Sequence, residues 1–252
     1  VRRLDAAEQW ARIDRILQPL EWHDMDQARL LLECGCEPGR ATELSMTQAD
    51  QLGAWLEVDP EYLLGREPDP VVHPNLYHNV PSELWRAIIT AATSRTLREV
   101  LILKVEGMNL DRLRPGMGTD DPRSMLAVVL TLRRPLGSYV VETWQLWQPE
   151  PWVYLKSREH VLSALLLLQA SDARGFTGCY PRGLEIPVEE MKALNEGQMH
   201  ITAVLGHHRW LPKWDVQNFL QPSGLLASRR RSEIEQSLQH YGDWRAMLSD
   251  HR

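Results

Sequence analysis

The sequence predicts an α+β protein: an all-helical N-terminal module, then an α+β domain with an antiparallel sheet, then a helical C-terminal tail. Three observations carry this. Apolar residues recur at helical spacing up to about residue 65, the stretch REPDPVVHPN holds three prolines and no periodicity, and runs of β-branched and aliphatic residues begin at residue 99. The expected organisation is a helical domain over 1–67, a linker over 68–79, an α+β domain over 80–205 and a helical extension over 206–252.

In the first module Trp10, Ile13, Ile16 and Leu17 share one helical face, and Gln18-Pro19 ends that helix. A second helix starts at Asp24 or Asp26 and runs through Leu30, Leu31 and Leu32 to a turn at Gly35. Pro38 suits the first turn of a short third helix ending near Leu44. Ser45 or Thr47 opens a fourth, with Met46, Ala49, Leu52, Trp55 and Leu56 on one face. Asp59-Pro60 is an N-cap followed by proline at the first helical position, so Tyr62 to Leu64 close a fifth helix before Gly65.

Beyond the linker, residues 81–95 read as a helix with Leu84, Trp85, Ile88 and Ile89 inward. Strands follow over 99–106, 125–133 and 138–147, the last two joined tightly through Arg134–Gly137. Residues 125–132 are apolar on both faces, which marks a central strand. Residues 152–156 read as a further strand, and Ser157 caps a buried helix to about Ala170. Residues 187–196 are expected to be helical, 199–205 a strand, and 227–248 a helix broken near Gly242.

The totals exclude several classes. No segment approaches the roughly 18 apolar residues of a membrane span, and VRRLDAAEQW lacks the apolar core of a signal peptide. Three cysteines, Cys34, Cys36 and Cys179, give no even disulfide framework and suit a reducing cytoplasm, so the expected location is cytoplasmic, with no membrane partner. Cys34-Gly-Cys36 is too tightly spaced for zinc and lacks two further ligands, so no metal and no cofactor is expected. Charge is unevenly placed: residues 1–70 hold 15 acidic and 7 basic side chains, a net −8, in a chain whose total is −6.

Candidate chemistry is sparse. Gly107–Arg123 has glycines but neither phosphate-loop spacing. Cys179 beside His160, His200, His207 or His208 would be a conceivable nucleophile pair, but its flanks TGCYPRG form no nucleophile elbow, so no catalytic residue is assigned. His207-His208-Arg209-Trp210 with Lys213-Trp214 interleaves bases and aromatics, and Arg229-Arg230-Arg231 is a basic cluster suited to phosphate contact.

MTQADQLGAWLEVDPEYLLG is similar to the closing "LAxxLxVxxxxLL" pattern of the lambda-repressor-like (Cro-type) helix-turn-helix family. Upstream, LLLECGCEPGRATEL looks like that family's second helix, turn and recognition helix, so residues 24–65 resemble it. Leu31 stands where the family usually has alanine, and ELSMT is a shorter connection than the family's. The resemblance implies that residues 38–44 read double-stranded DNA, with Arg40 and Thr42 at base edges. It also implies a homodimer spanning two half-sites, and the acidic module would need Arg229, Arg230 and Arg231 for electrostatic grip. The expected function is then a transcription regulator or accessory DNA-binding protein whose α+β domain dimerises or senses a ligand. The alternative is a protein-interaction factor whose acidic helical module docks another protein and no DNA.

Overall fold

The computed structural model describes residues 4–20, 22–71, 82–113, 121–172, 181–207, 213–216, 232 and 235–236. The chain is α+β, with helices first and a five-stranded sheet after them. Its two compact units are not contiguous in sequence. One comprises Val1–His73, Arg133–Gln145 and Lys192–Trp210; the other comprises Pro74–Leu132, Leu146–Met191 and Leu211–Arg252.

In the first, helical unit, α1 (Ala6–Leu17) begins with a reciprocal capping box. The Glu8 amide donates to the Asp5 carboxylate at 2.9 Å, and the Asp5 amide to Glu8 at 3.1 Å. Helix α2 (Asp24–Glu33) stops at Gly35, whose φ of +71° lets the Cys36 amide return to the Leu31 carbonyl at 2.7 Å. Ser45 and Gln48 box the start of α3 (Met46–Leu56), while Asp59 caps α4 (Pro60–Leu63) with Pro60 at its first position. Among the described residues of 5–65 no strand occurs, as expected. The third expected helix is absent: residues 40–45 have no regular structure, and the turn at Pro38-Gly39 puts Gly39 at φ +78°. That left-handed residue breaks the helical path immediately after the proline meant to start it.

Ile13, Ile16, Leu30, Leu31, Leu52 and Leu63 form the centre of this unit's core, joined by Leu136 and Val141. Trp10 and Trp55 are only partly buried, so they cover the core rather than fill it. Residues 199–205, expected to be a strand, instead lead into helix α8 (Ile201–His207). The His200 ring meets the Thr202 hydroxyl at 2.8 Å, and the buried helix packs through Ile201 and Val204. Tertiary burial outweighs the β preference of branched side chains here.

The second unit contains α5 (Ser82–Thr93) and β1 (Leu97–Val105). Strands β2 (Met125–Leu136) and β3 (Tyr139–Pro151) are joined by a two-residue turn at Gly137-Ser138, with Gly137 at φ +60°. Their outer portions, residues 133–145, belong to the helical unit. After α6 (Leu155–Asp172) come β4 (Pro181–Ile186), α7 (Val188–Asn195) and β5 (Lys213–Trp214). The sheet order is β3-β2-β1-β4-β5. Strand β2 is internal, and residues 125–132 are buried throughout, in agreement with their two apolar faces.

Two expectations are corrected. The sheet is mixed rather than antiparallel, because β1 pairs antiparallel with β2 but parallel with β4. The excursion from β1 through β2, β3 and α6 returns the chain so that β4 runs alongside β1 in the same direction. Residues 152–156 are not a strand: β3 ends at Pro151 and α6 starts at Leu155, with Ser157 already inside it. No helix among the described residues is long and apolar enough to cross a membrane.

His200 is fully buried, and burial depresses its pKa to about 4, against backbone hydrogen bonds at Leu56 and Glu57 that favour the charged form. The neutral ring is the folded form, so its contribution is fully present above the unfolded pKa and is lost as pH falls from about 6.5 to about 4. Chemical denaturation of the wild type and His200→Gln across this range is expected to show the wild type losing up to about 3 kcal/mol relative to the variant.

Candidate functional site

The side chains expected to read DNA are not presented by a helix. Arg40 is exposed and pairs at 3.0 Å with Glu37, while Thr42 is exposed and uses its carbonyl to accept the Trp10 indole N–H at 2.9 Å. Both lie in the irregular segment after Gly39, so Arg40 and Thr42 do not share a helical face. Arg229, Arg230 and Arg231 lie outside the described residues, as do Cys179 and His208.

Cys34 and Cys36 are buried. Burial pushes the Cys34 thiol up to about 12, with Cys36 and Glu33 adding to it, and likewise raises Cys36. Neither is poised as a thiolate ligand or nucleophile. Among the described residues no group of three His, Cys, Asp or Glu side chains is placed to hold a metal ion.

The helical unit does present an apolar face, built where α2 meets the turn of the β2–β3 hairpin. Met25 and Leu32 stand seven residues apart, on one side of α2, and are 64% and 60% exposed. Arg29, four residues after Met25 and three before Leu32, points from the same side. Its guanidinium lies 3.8 Å from the centroid of the Tyr139 ring, which ties that stripe to the hairpin turn. Tyr139 is itself exposed. The Trp22 indole N–H donates to the Glu142 carbonyl at 3.2 Å, fixing the entry of α2 against the same hairpin.

A second tie anchors the hairpin within the unit. Arg134 donates to Glu57 at 2.9 Å and to the Ala54 carbonyl at 2.8 Å, with its guanidinium 5.8 Å from the Trp55 ring centroid. Burial raises the Glu57 pKa, and the Arg134 charge and hydrogen bond pull it down. Met25, Leu32 and Tyr139 therefore stand on a braced support rather than on a free loop.

The surround is acidic. Asp24 and Asp26 flank Met25 in the first turn of α2, and Glu33 follows Leu32. The whole unit holds 17 acidic and 11 basic side chains, against 17 and 17 in the other unit. An apolar stripe with an acidic margin is suited to the apolar face of a cationic amphipathic segment.

Sequence reasoning placed none of these three residues at a site. Leu32 read as an ordinary member of its helix, and only the distant hairpin makes that side of α2 a surface. The exposed Arg40–Glu37 pair contributes little, so Arg40→Ala is expected to change unfolding free energy by less than about 0.5 kcal/mol in urea titrations. Trp10→Phe, which removes the donor to Thr42, is expected to cost about 1 kcal/mol in the same assay.

Compared with protein-family models, with curated proteins and with solved structures, the chain matches none of them.

Proposed function

We propose that this chain is a protein-interaction factor whose acidic helical unit docks a cationic amphipathic helix of a partner protein. The face formed by Met25, Leu32 and Tyr139 carries this reading. Three large apolar side chains held exposed beside the stacked Arg29 cost free energy in water that an apolar partner surface would recover. Asp24, Asp26 and Glu33 select the charge of the partner's flanks.

The rival reading, a DNA-binding regulator of the lambda-repressor-like kind, draws on the sequence pattern of residues 24–65 and on the basic cluster Arg229–Arg231. It has less support: residues 40–45 offer no helix for a major groove, and a net-acidic unit repels phosphate.

One titration separates the two. The full chain is expected to bind a fluorescent Lys/Leu amphipathic helical peptide, and not its Glu/Leu counterpart, with affinity that weakens as salt rises. Met25→Ser and Leu32→Ser together are expected to weaken binding at least about tenfold, the loss of more than about 1.4 kcal/mol, with unchanged thermal melting. Equal binding of both peptides, or an unaffected double variant, counts against the docking face. Saturable binding of duplex DNA at low salt, weakened by Arg40→Ala, would instead support the regulator reading.

A further inference from the structure

The sheet unit holds a cleft that the docking reading does not use. It lies at the carboxyl ends of the parallel pair β1 and β4, where Glu106 through Leu113 leave one strand and Pro187 leaves the other, and it measures about 460 Å³. Carboxyl ends of adjacent parallel strands are the usual place for ligands in sheets of this kind, and a volume of this size suits a small molecule.

The wall formed by residues 106–113 is held by buried donors. The Lys104 ammonium donates to the Met108 carbonyl at 3.0 Å and also pairs with Glu185, its register partner on β4. The Trp152 indole donates to the Leu110 carbonyl at 3.1 Å, and the Arg158 guanidinium to the Leu113 carbonyl at 3.0 Å. All three donor residues are buried, and Arg158 also stacks on Trp152 at 4.7 Å. Burying two cations to fix the carbonyls of a surface loop costs desolvation that a merely connecting loop would not require. It does make the wall rigid before any ligand arrives.

The lining has two chemistries. Met108 and Leu113 supply apolar surface, while Arg112 and Arg123 bring guanidinium groups and Glu106 and Glu189 bring carboxylates. None of these four charged side chains makes an ion pair or a side-chain hydrogen bond among the described residues. Both signs thus stand ready around one apolar floor, without neutralising one another.

We infer that this cleft binds an amphipathic zwitterion of amino-acid to dipeptide size. Its carboxylate is taken by Arg112 and Arg123, its ammonium by Glu106 and Glu189, and its apolar body by Met108 and Leu113. Arginine forks match a carboxylate, and carboxylates accept from an ammonium in charge-assisted hydrogen bonds.

Calorimetric titration of the full chain with leucyl-leucine, N-acetyl-leucyl-leucine and leucyl-leucinamide tests this. The free dipeptide is expected to bind with a dissociation constant at or below about 1 mM. Each capped form should bind at least about tenfold more weakly. The double variant Arg112→Gln with Arg123→Gln should lose the preference for a free carboxylate, and Glu106→Gln with Glu189→Gln the preference for a free amine. Thermal melting should not change, because Glu106, Arg112, Arg123 and Glu189 are exposed. No binding of the dipeptide, equal binding of all three compounds, or preferences that survive both double variants would overturn the assignment. If N-acetyl-leucyl-leucine binds as well as the free dipeptide, the cleft is an anion site and the zwitterion inference falls.

Discussion

The parallel register of β1 against β4 is the constraint on which the sheet unit depends. Six residue pairs run from Val100–Pro181 to Val105–Ile186, and Lys104 stands opposite Glu185 within that register. A shift of one residue would set Lys104 opposite Leu184 or Ile186, leaving an ammonium and a carboxylate separated in a poorly hydrated place. Breaking such a buried pair costs about 3–5 kcal/mol. Trp214 reinforces the same arrangement. Its ring covers Gly183, where an added Cβ would come within 2.5 Å of it, and its indole N–H reaches the Ile102 carbonyl at 3.3 Å. The charge pair fixes register, and the glycine admits the aromatic lid. Because the strands are parallel, both carboxyl ends emerge side by side, and that is why a cleft exists there at all.

In the helical unit, polar side chains that reach distant backbone groups do comparable work. Gln9 is buried and accepts from the Leu44 amide at 2.9 Å, which satisfies an irregular segment that has no helix of its own. Gln48 donates to the Gly35 carbonyl, and Arg134 to Ala54. Each contact ties a chain segment that would otherwise be a loop to a helix end. The unit's short helices need such ties, since α4 has only four residues and α2 has ten, too few to be stable alone.

The parts legible in the sequence are those with local causes. Ser45 and Asp59-Pro60 announced helix starts, Gly35 a helix end, and the apolar run over 125–132 an internal strand. Local chemistry misled at four places. Pro38 suggested a helix that Gly39 then broke, residues 152–156 suggested a strand where α6 begins, residues 199–205 suggested a strand that packing turned into a helix, and β4 was not foreseen. Strand β4 begins with Pro181 and contains Gly183, both poor strand residues, and it is sustained by β1 and Trp214 rather than by its own preference. The candidate sites were illegible for a related reason. Arg29 meets Tyr139, and Lys104, Trp152 and Arg158 converge on one loop, only after the strands are paired, and no short motif encodes such meetings.

The interleaving of the two units bears on how the chain is made. Synthesis delivers α1 through α4 before the rest of their core, since Leu136 and Val141 come from the hairpin and Pro19 packs against Gly206 of α8. The helical unit therefore cannot close as it emerges, and its unfinished apolar surfaces stay open until the hairpin and α8 have been translated. Contacts this far apart in sequence slow folding, because the intervening segment must be ordered before they form. The nascent chain is exposed to chaperones and to misassociation during that interval, and the wait ends only when α8 leaves the ribosome.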